Sequence, residues 1–239
     1  LGLNLSKPLS YLIDDEELKK RLYACTGEHL SDMMLMDLPD KPDGVYHREM
    51  TNPSCYFLYC DILGSLFEKH SHPCYKENYT RYAQQLSEAA KRSTNHSYMY
   101  DMLAKLCDLL AVKSCVSADS YAAYHAGNRE ELRVIAEEIL PVIRQRLAKF
   151  RDAVEHCWML ECKRSGYEVL DLRLGGVDAR VNNAIRQIEA YLAGEIEEIE
   201  ELEEPRLSFN NKSDEELEKD PVMCWCYRRD LFTPNRLVW

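Results

Sequence analysis

Apolar residues recur at steps of three and four over most of this chain, the signature of helices that bury one face. Leu18, Leu22 and Cys25 share a face of DDEELKKRLYACT. A short helix is therefore expected over Asp14 to Thr26, with acids at its start where the helix dipole favours them. Pro39, Pro42 and Gly44 then break the chain into a loop. The run CYFLYCDILGSLF after Asn52-Pro53-Ser54 is too short and aromatic for periodicity to assign. From about Tyr75 the helical step is clear. It carries Tyr79, Tyr82, Ala83, Leu86 and Ala90, then Tyr100, Leu103, Ala104, Cys107, Leu110 and Ala111 on one stripe of Ser97 to Val116. Ser117 opens a short helix that stops near Gly127-Asn128.

Asn128 is a good N-cap, followed by Glu130 and Glu131 in a first turn. A long helix is predicted from there, with Leu132, Ile135, Ile139, Ile143, Leu147, Phe150, Val154 and Trp158 facing inward. Pro141 should kink it about one third of the way along, and it should end by Gly166. YEVLDLRL, residues 167–174, alternates as a short extended piece would. A further helix is expected from about Val177 to Leu192, closed by Gly194. No internal repeat and no strand–helix alternation accompany these patterns. The fold class they predict is all-α, an irregular helical bundle with one long Pro-kinked helix and short extended segments.

Composition supports a sizeable core: apolar residues make up 46% of the 239, with only 9 Gly and 9 Pro. The net charge of −11 argues against binding to nucleic acid or to an anionic membrane surface. No apolar run approaches the roughly 20 residues that cross a bilayer. The opening Leu1-Gly2-Leu3-Asn4 lacks both an initiator Met and a signal-peptide layout, so the chain is expected to be an excised piece of something longer. Several of the ten Cys, Cys107 and Cys157 among them, fall in apolar helical patterns and behave as small core residues, which makes a reducing cytoplasm the simplest location.

Most chemically suggestive clusters have a plain structural explanation. The adjacent acids in Asp14-Asp15-Glu16-Glu17 and Asp214-Glu215-Glu216 sit at helix starts. His70-Ser71-His72-Pro73-Cys74 holds metal-capable side chains but no partner pair, so no metal or cofactor is expected. Cys224-Trp225-Cys226 lacks the CxxC spacing of a redox pair. Seven Glu in Glu195 to Glu204 leave Ile196, Ile199 and Leu202 as an apolar seam beneath a solvated face. Arg228-Arg229 is too small a basic spot for nucleic acid.

The exception is the crowd of charged and aromatic residues after the long helix: Trp158, Glu161, Lys163, Glu168, Asp171 and Arg173. Charges beside apolar residues cost desolvation energy unless they pair or meet a ligand. Carboxylates and Arg hydrogen-bond hydroxyls, and an aromatic face stacks on a sugar ring, so the set suits carbohydrate recognition. A salt-bridge cluster at a domain interface is the reading that the residues alone favour over it.

The pattern Trp158-x-x-Glu161-x-Lys163-x-x-Gly166-x-Glu168-Val169-x-Asp171-x-Arg173-Leu174-Gly175-Gly176 carries a resemblance. Followed by Tyr191-Leu192-x-Gly194 and Glu201-Leu202-Glu203-Glu204-x-Arg206-Leu207, it resembles the C-terminal helical region of a branch of glycoside hydrolase family 20, the β-N-acetylhexosaminidases. The similarity extends to Asn52-Pro53-Ser54-x-Tyr56-x-Leu58-Tyr59-x-Asp61, Leu109-x-Ala111-Val112-Lys113 and Thr233-Pro234-Asn235. It departs at Cys162, where the family often has Asn, and at Arg164-Ser165-Gly166, where it often has Pro-Phe-Gly.

The resemblance implies a parent enzyme that removes terminal N-acetylhexosamine with an Asp-Glu pair on a (β/α)8 barrel. A barrel needs about 250 residues by itself. This chain is then expected to be the accessory domain alone, inactive without that barrel. Residues 1–50 would be a loosely matching linker or edge, and residues 51–239 the helical domain. Its expected partners are the parent's catalytic barrel and, through it, an N-acetylhexosamine-containing glycan. Glu168, Asp171 or Arg173 would lie near the substrate mouth or at a homodimer contact. The alternatives are a helical protein-interaction or oligomerisation module and, from the residues around His70, His72 and Cys74, a metal-binding helical protein.

Overall fold

The computed structural model describes residues 14–45, 52–65, 68–206, 213, 215 and 216. Among the described residues there is no strand. The elements in order are α1 (Asp15–Thr26), α2 (Leu30–Met33), a 3-10 helix (Met34–Asp40), α3 (Pro53–Tyr59), a 3-10 turn (Glu68–His70), α4 (Cys74–Arg92), α5 (Ser97–Lys113), α6 (Val116–His125), α7 (Arg129–Val134), a π turn (Ile135–Ile139), α8 (Leu140–Glu161), α9 (Tyr167–Ala193) and α10 (Glu200–Glu203). Among the described residues no helix is long and apolar enough to cross a membrane. Cys224-Trp225-Cys226, Arg228-Arg229, Thr233-Pro234-Asn235 and Asp214 lie outside the described residues.

Helix boundaries follow local chemistry. Asp14 caps α1 by accepting the Glu17 N–H at 2.8 Å. Gly27 ends it in the left-handed region at φ 74°, where a Cβ would come within 2.8 Å of the Asn95 amide nitrogen. The aromatic run that periodicity could not assign is helical: α3 starts with Pro53 in its first turn, where a missing N–H costs nothing.

The four long helices pack in chain order, α4 on α5, α5 on α8 and α8 on α9. Tyr75, Tyr79 and Tyr82, spaced four and three apart on α4, are buried in this layer. Their hydroxyls need partners. Tyr79 donates to the Pro39 carbonyl at 3.0 Å and Tyr82 to the Lys41 carbonyl at 2.9 Å, which ties the end of the first 3-10 helix to α4.

Two stretches differ from the sequence expectation. The helix from Asn128 is interrupted by the π turn, in which the Leu140 N–H reaches back to the Ile135 carbonyl. The wider turn lies directly before Pro141, whose ring and missing N–H disturb the turn preceding it. Residues 167–174 are the first two turns of the 27-residue α9. Leu170 and Leu174 follow a four-residue step toward the core, and that period prevails over the local alternation.

Candidate functional site

The bend between α8 and α9 is built on one glycine. Gly166 adopts φ 103°, where L side chains are strained, and a Cβ there would lie 3.3 Å from the Trp158 ring. The Trp158 indole N–H donates to the Lys163 carbonyl at 2.7 Å, and its ring lies 6.1 Å from that of Tyr167. Glu168 turns back to accept the Gly166 N–H at 2.7 Å, serving a donor that the start of α9 leaves unpaired. Trp158, Lys163 and Glu168 therefore share one turn.

The other three candidates diverge from it. Glu161 accepts a hydrogen bond from the Tyr98 hydroxyl on α5, which pushes that phenol's pKa above its ordinary value. Asp171 pairs with Arg151 on α8 at 2.6 Å, and this bond raises the guanidinium's pKa. Arg173 lies over the ring of Tyr59 in α3, at 4.2 Å to the centroid. Its buried Nε has no hydrogen-bond partner among the described residues. Two residues apart on a helix is about 200° around the axis, so Asp171 and Arg173 face different neighbours, whereas an extended segment would have aligned them.

All three carboxylates of the set already accept a hydrogen bond from within the chain. Among the described residues, no group of three His, Cys, Asp or Glu side chains could hold a metal ion. His72 Nδ1 lies 2.9 Å from the Cys74 thiol, and His70 is buried. A family model described as Glycoside Hydrolase 20C C-terminal domain matches residues 31–222. The chain belongs to that family. No curated protein matches it. The family by its description implies association with a glycoside hydrolase 20 catalytic domain.

Further polar contacts of this 20C C-terminal domain lie outside the sequence-derived set. Arg180 on α9 holds Asp61, just after α3, through two bonds of 2.6 and 3.2 Å. Burial pushes the Asp61 carboxyl up, but Arg180 and the Leu63 and Gly64 amides outweigh it and leave its pKa below the ordinary range. Arg144 holds Asp178 in the same two-bond manner, at 2.8 and 3.1 Å. Lys113, 1% exposed, donates to the Phe57 and Cys60 carbonyls at 2.9 and 2.6 Å, closing the C-terminal end of α3. Asp61 and Lys113 both belong to the motifs that carried the resemblance. A signal was present for Lys113, because a lysine that continues the buried Leu106–Leu109 stripe must find acceptors inside.

Proposed function

We propose that this chain is a non-catalytic accessory domain of a β-N-acetylhexosaminidase, seated on a family 20 catalytic barrel and helping to shape its substrate mouth. The family match over residues 31–222 carries this reading. The engagement of Glu161, Glu168 and Asp171 inside the chain supports it, since a general acid and a nucleophile or base must both reach the scissile bond. In this reading Trp158, Lys163 and Glu168 form the rim turned toward the barrel, and Glu161, Asp171 and Arg173 fix that rim to α5, α8 and α3. The glycan is met through the catalytic domain. Cys25, Cys60, Cys74, Cys107, Cys115, Cys157 and Cys162 are free thiols, which accords with a reducing cytoplasm as the location.

The test is an assay of the chain on a chromogenic N-acetylglucosaminide. No turnover above buffer is expected. Turnover that vanishes on a single Glu161→Gln, Glu168→Gln or Asp171→Asn change would overturn the reading.

A further inference from the structure

The segment from Ser71 to Cys74 sets a thiol against an imidazole at the start of the 19-residue α4. Cys74 is the first residue of that helix, and its Sγ lies 2.9 Å from His72 Nδ1. The Cys74 backbone N–H donates to the same nitrogen at 3.2 Å. A ring nitrogen that receives an N–H carries no proton of its own, so Nδ1 is an acceptor and the thiol S–H is its other donor. The neutral ring then keeps its proton on Nε2. His72 is exposed and Cys74 is half-buried, so the pair is open to small solutes.

The junction of α5 and α6 holds this pair in place. The Ser71 hydroxyl donates to the Ser114 carbonyl at 2.8 Å, and the buried Cys115 thiol donates to the His72 carbonyl at 3.4 Å. The arrangement sets Cys74 apart from other thiols of the chain. Cys107 and Cys115 are buried, while Cys25 and Cys162 are exposed and make no hydrogen bond to a His side chain among the described residues. Burial pushes the Cys74 thiol up, with the Asp43 and Glu77 carboxylates adding to it and its own backbone N–H opposing. The resting pair is therefore thiol and neutral imidazole, and the proton must leave sulfur as it attacks. A thiol of raised pKa is the stronger nucleophile once a base removes that proton.

We propose that Cys74 is a site of covalent modification by low-molecular-weight disulfides, with His72 as the base that takes its proton. The Cys74 sulfur attacks one sulfur of the disulfide while Nδ1 accepts the S–H proton. A new S–S bond forms and the old one breaks. The departing thiolate takes the proton from His72 and leaves as a thiol, so one thiol and one disulfide are exchanged with no further oxidant. Charge that develops on the Cys74 sulfur meets the N-terminal end of α4 and the residue's own N–H. The reaction needs no catalytic domain and stands apart from the accessory-domain reading.

The test incubates the full 239-residue chain with oxidised glutathione at pH 7 and follows the mixed disulfide at each cysteine by peptide mass spectrometry. Cys74 is expected to react about tenfold or more faster than the exposed Cys25 and Cys162. His72→Ala opens Cys74 further to solvent, so a thiol limited only by access would react faster in that variant. A base at His72 gives the opposite sign, a fall of about tenfold or more at Cys74 with the Cys25 rate unchanged. His72→Asn, which hydrogen-bonds but takes no proton at this pH, should show the same fall. Cys74 reacting no faster than Cys25 and Cys162, or reacting at the parent's rate or above in both His72 variants, would overturn the proposal.

Discussion

Lys113 shows how a single residue can hold two elements. Its ammonium sits among apolar side chains, and the Phe57 and Cys60 carbonyls replace the water it lost. Those carbonyls lie at the end of α3, where a helix leaves acceptors unpaired. Lys113→Met keeps most of the volume and removes both bonds. It should destabilise the chain by about 2–4 kcal/mol, since each buried acceptor left unsatisfied costs roughly 1–3 kcal/mol. Urea denaturation followed by circular dichroism checks this; an unchanged midpoint would mean that the carbonyls find other donors. Asp61 and Arg180 work in the same way at greater separation. Such pairs were invisible as pairs in the sequence, because they join positions 119 residues apart. Their residue types were legible, but the partner of each was not.

At the scale of elements, the helices were legible wherever the three-four step ran unbroken, and less so where two signals competed. α4 and α5 appear within a few residues of the expected limits because their stripes are long and their ends meet loop residues. The π turn had a weak trace. Ile135, Ile139, Ile143 and Leu147 step by four each time, which overruns a 3.6-residue period and needs a wider turn somewhere to keep all four inward. Pro141 drew attention to a kink instead. Residues 167–174 alternate locally, yet they continue the core-facing register of α9, and packing decides between the two. The candidate set was legible as a bend of charges and aromatics. How those residues divide among α3, α5 and α8 was not, because it depends on helical rotation about an axis that the extended assumption removed. The bend itself gives a prediction. Gly166→Ala places a Cβ at φ 103° and 3.3 Å from the Trp158 ring. It should cost about 1–2 kcal/mol and shift the tryptophan emission. A variant with the parent's Tm and spectrum would refute the role given to this glycine.

For the whole molecule, acid is the revealing perturbation. Arg92 holds Asp32 below its ordinary pKa, with burial opposing. Burial pushes Glu28 up, yet hydrogen bonds from Ser93 and His96 leave it depressed, and Asp61 follows the same pattern with Arg180. A carboxyl depressed by folding binds its proton more readily in the unfolded chain, so stability rises with pH across that interval. The contribution is complete above the unfolded values of about 4 and is lost as pH falls through the lower folded ones. The Tm measured from pH 7 down to pH 3 should therefore hold steady to about pH 5 and then drop. Asp61→Asn should lower the Tm at pH 7 and flatten the drop; parallel curves for the two proteins would exclude Asp61 as a contributor.

The order in which the long helices pack also has a kinetic meaning. The entropy lost in closing a loop grows with the residues it encloses. The α4–α5 and α8–α9 contacts close across only residues 93–96 and 162–166, whereas the Asp61–Arg180 clasp must bring together ends 119 residues apart. The two hairpins can form early and locally, and the docking of α3 onto α9 becomes the late step that locks them into one body.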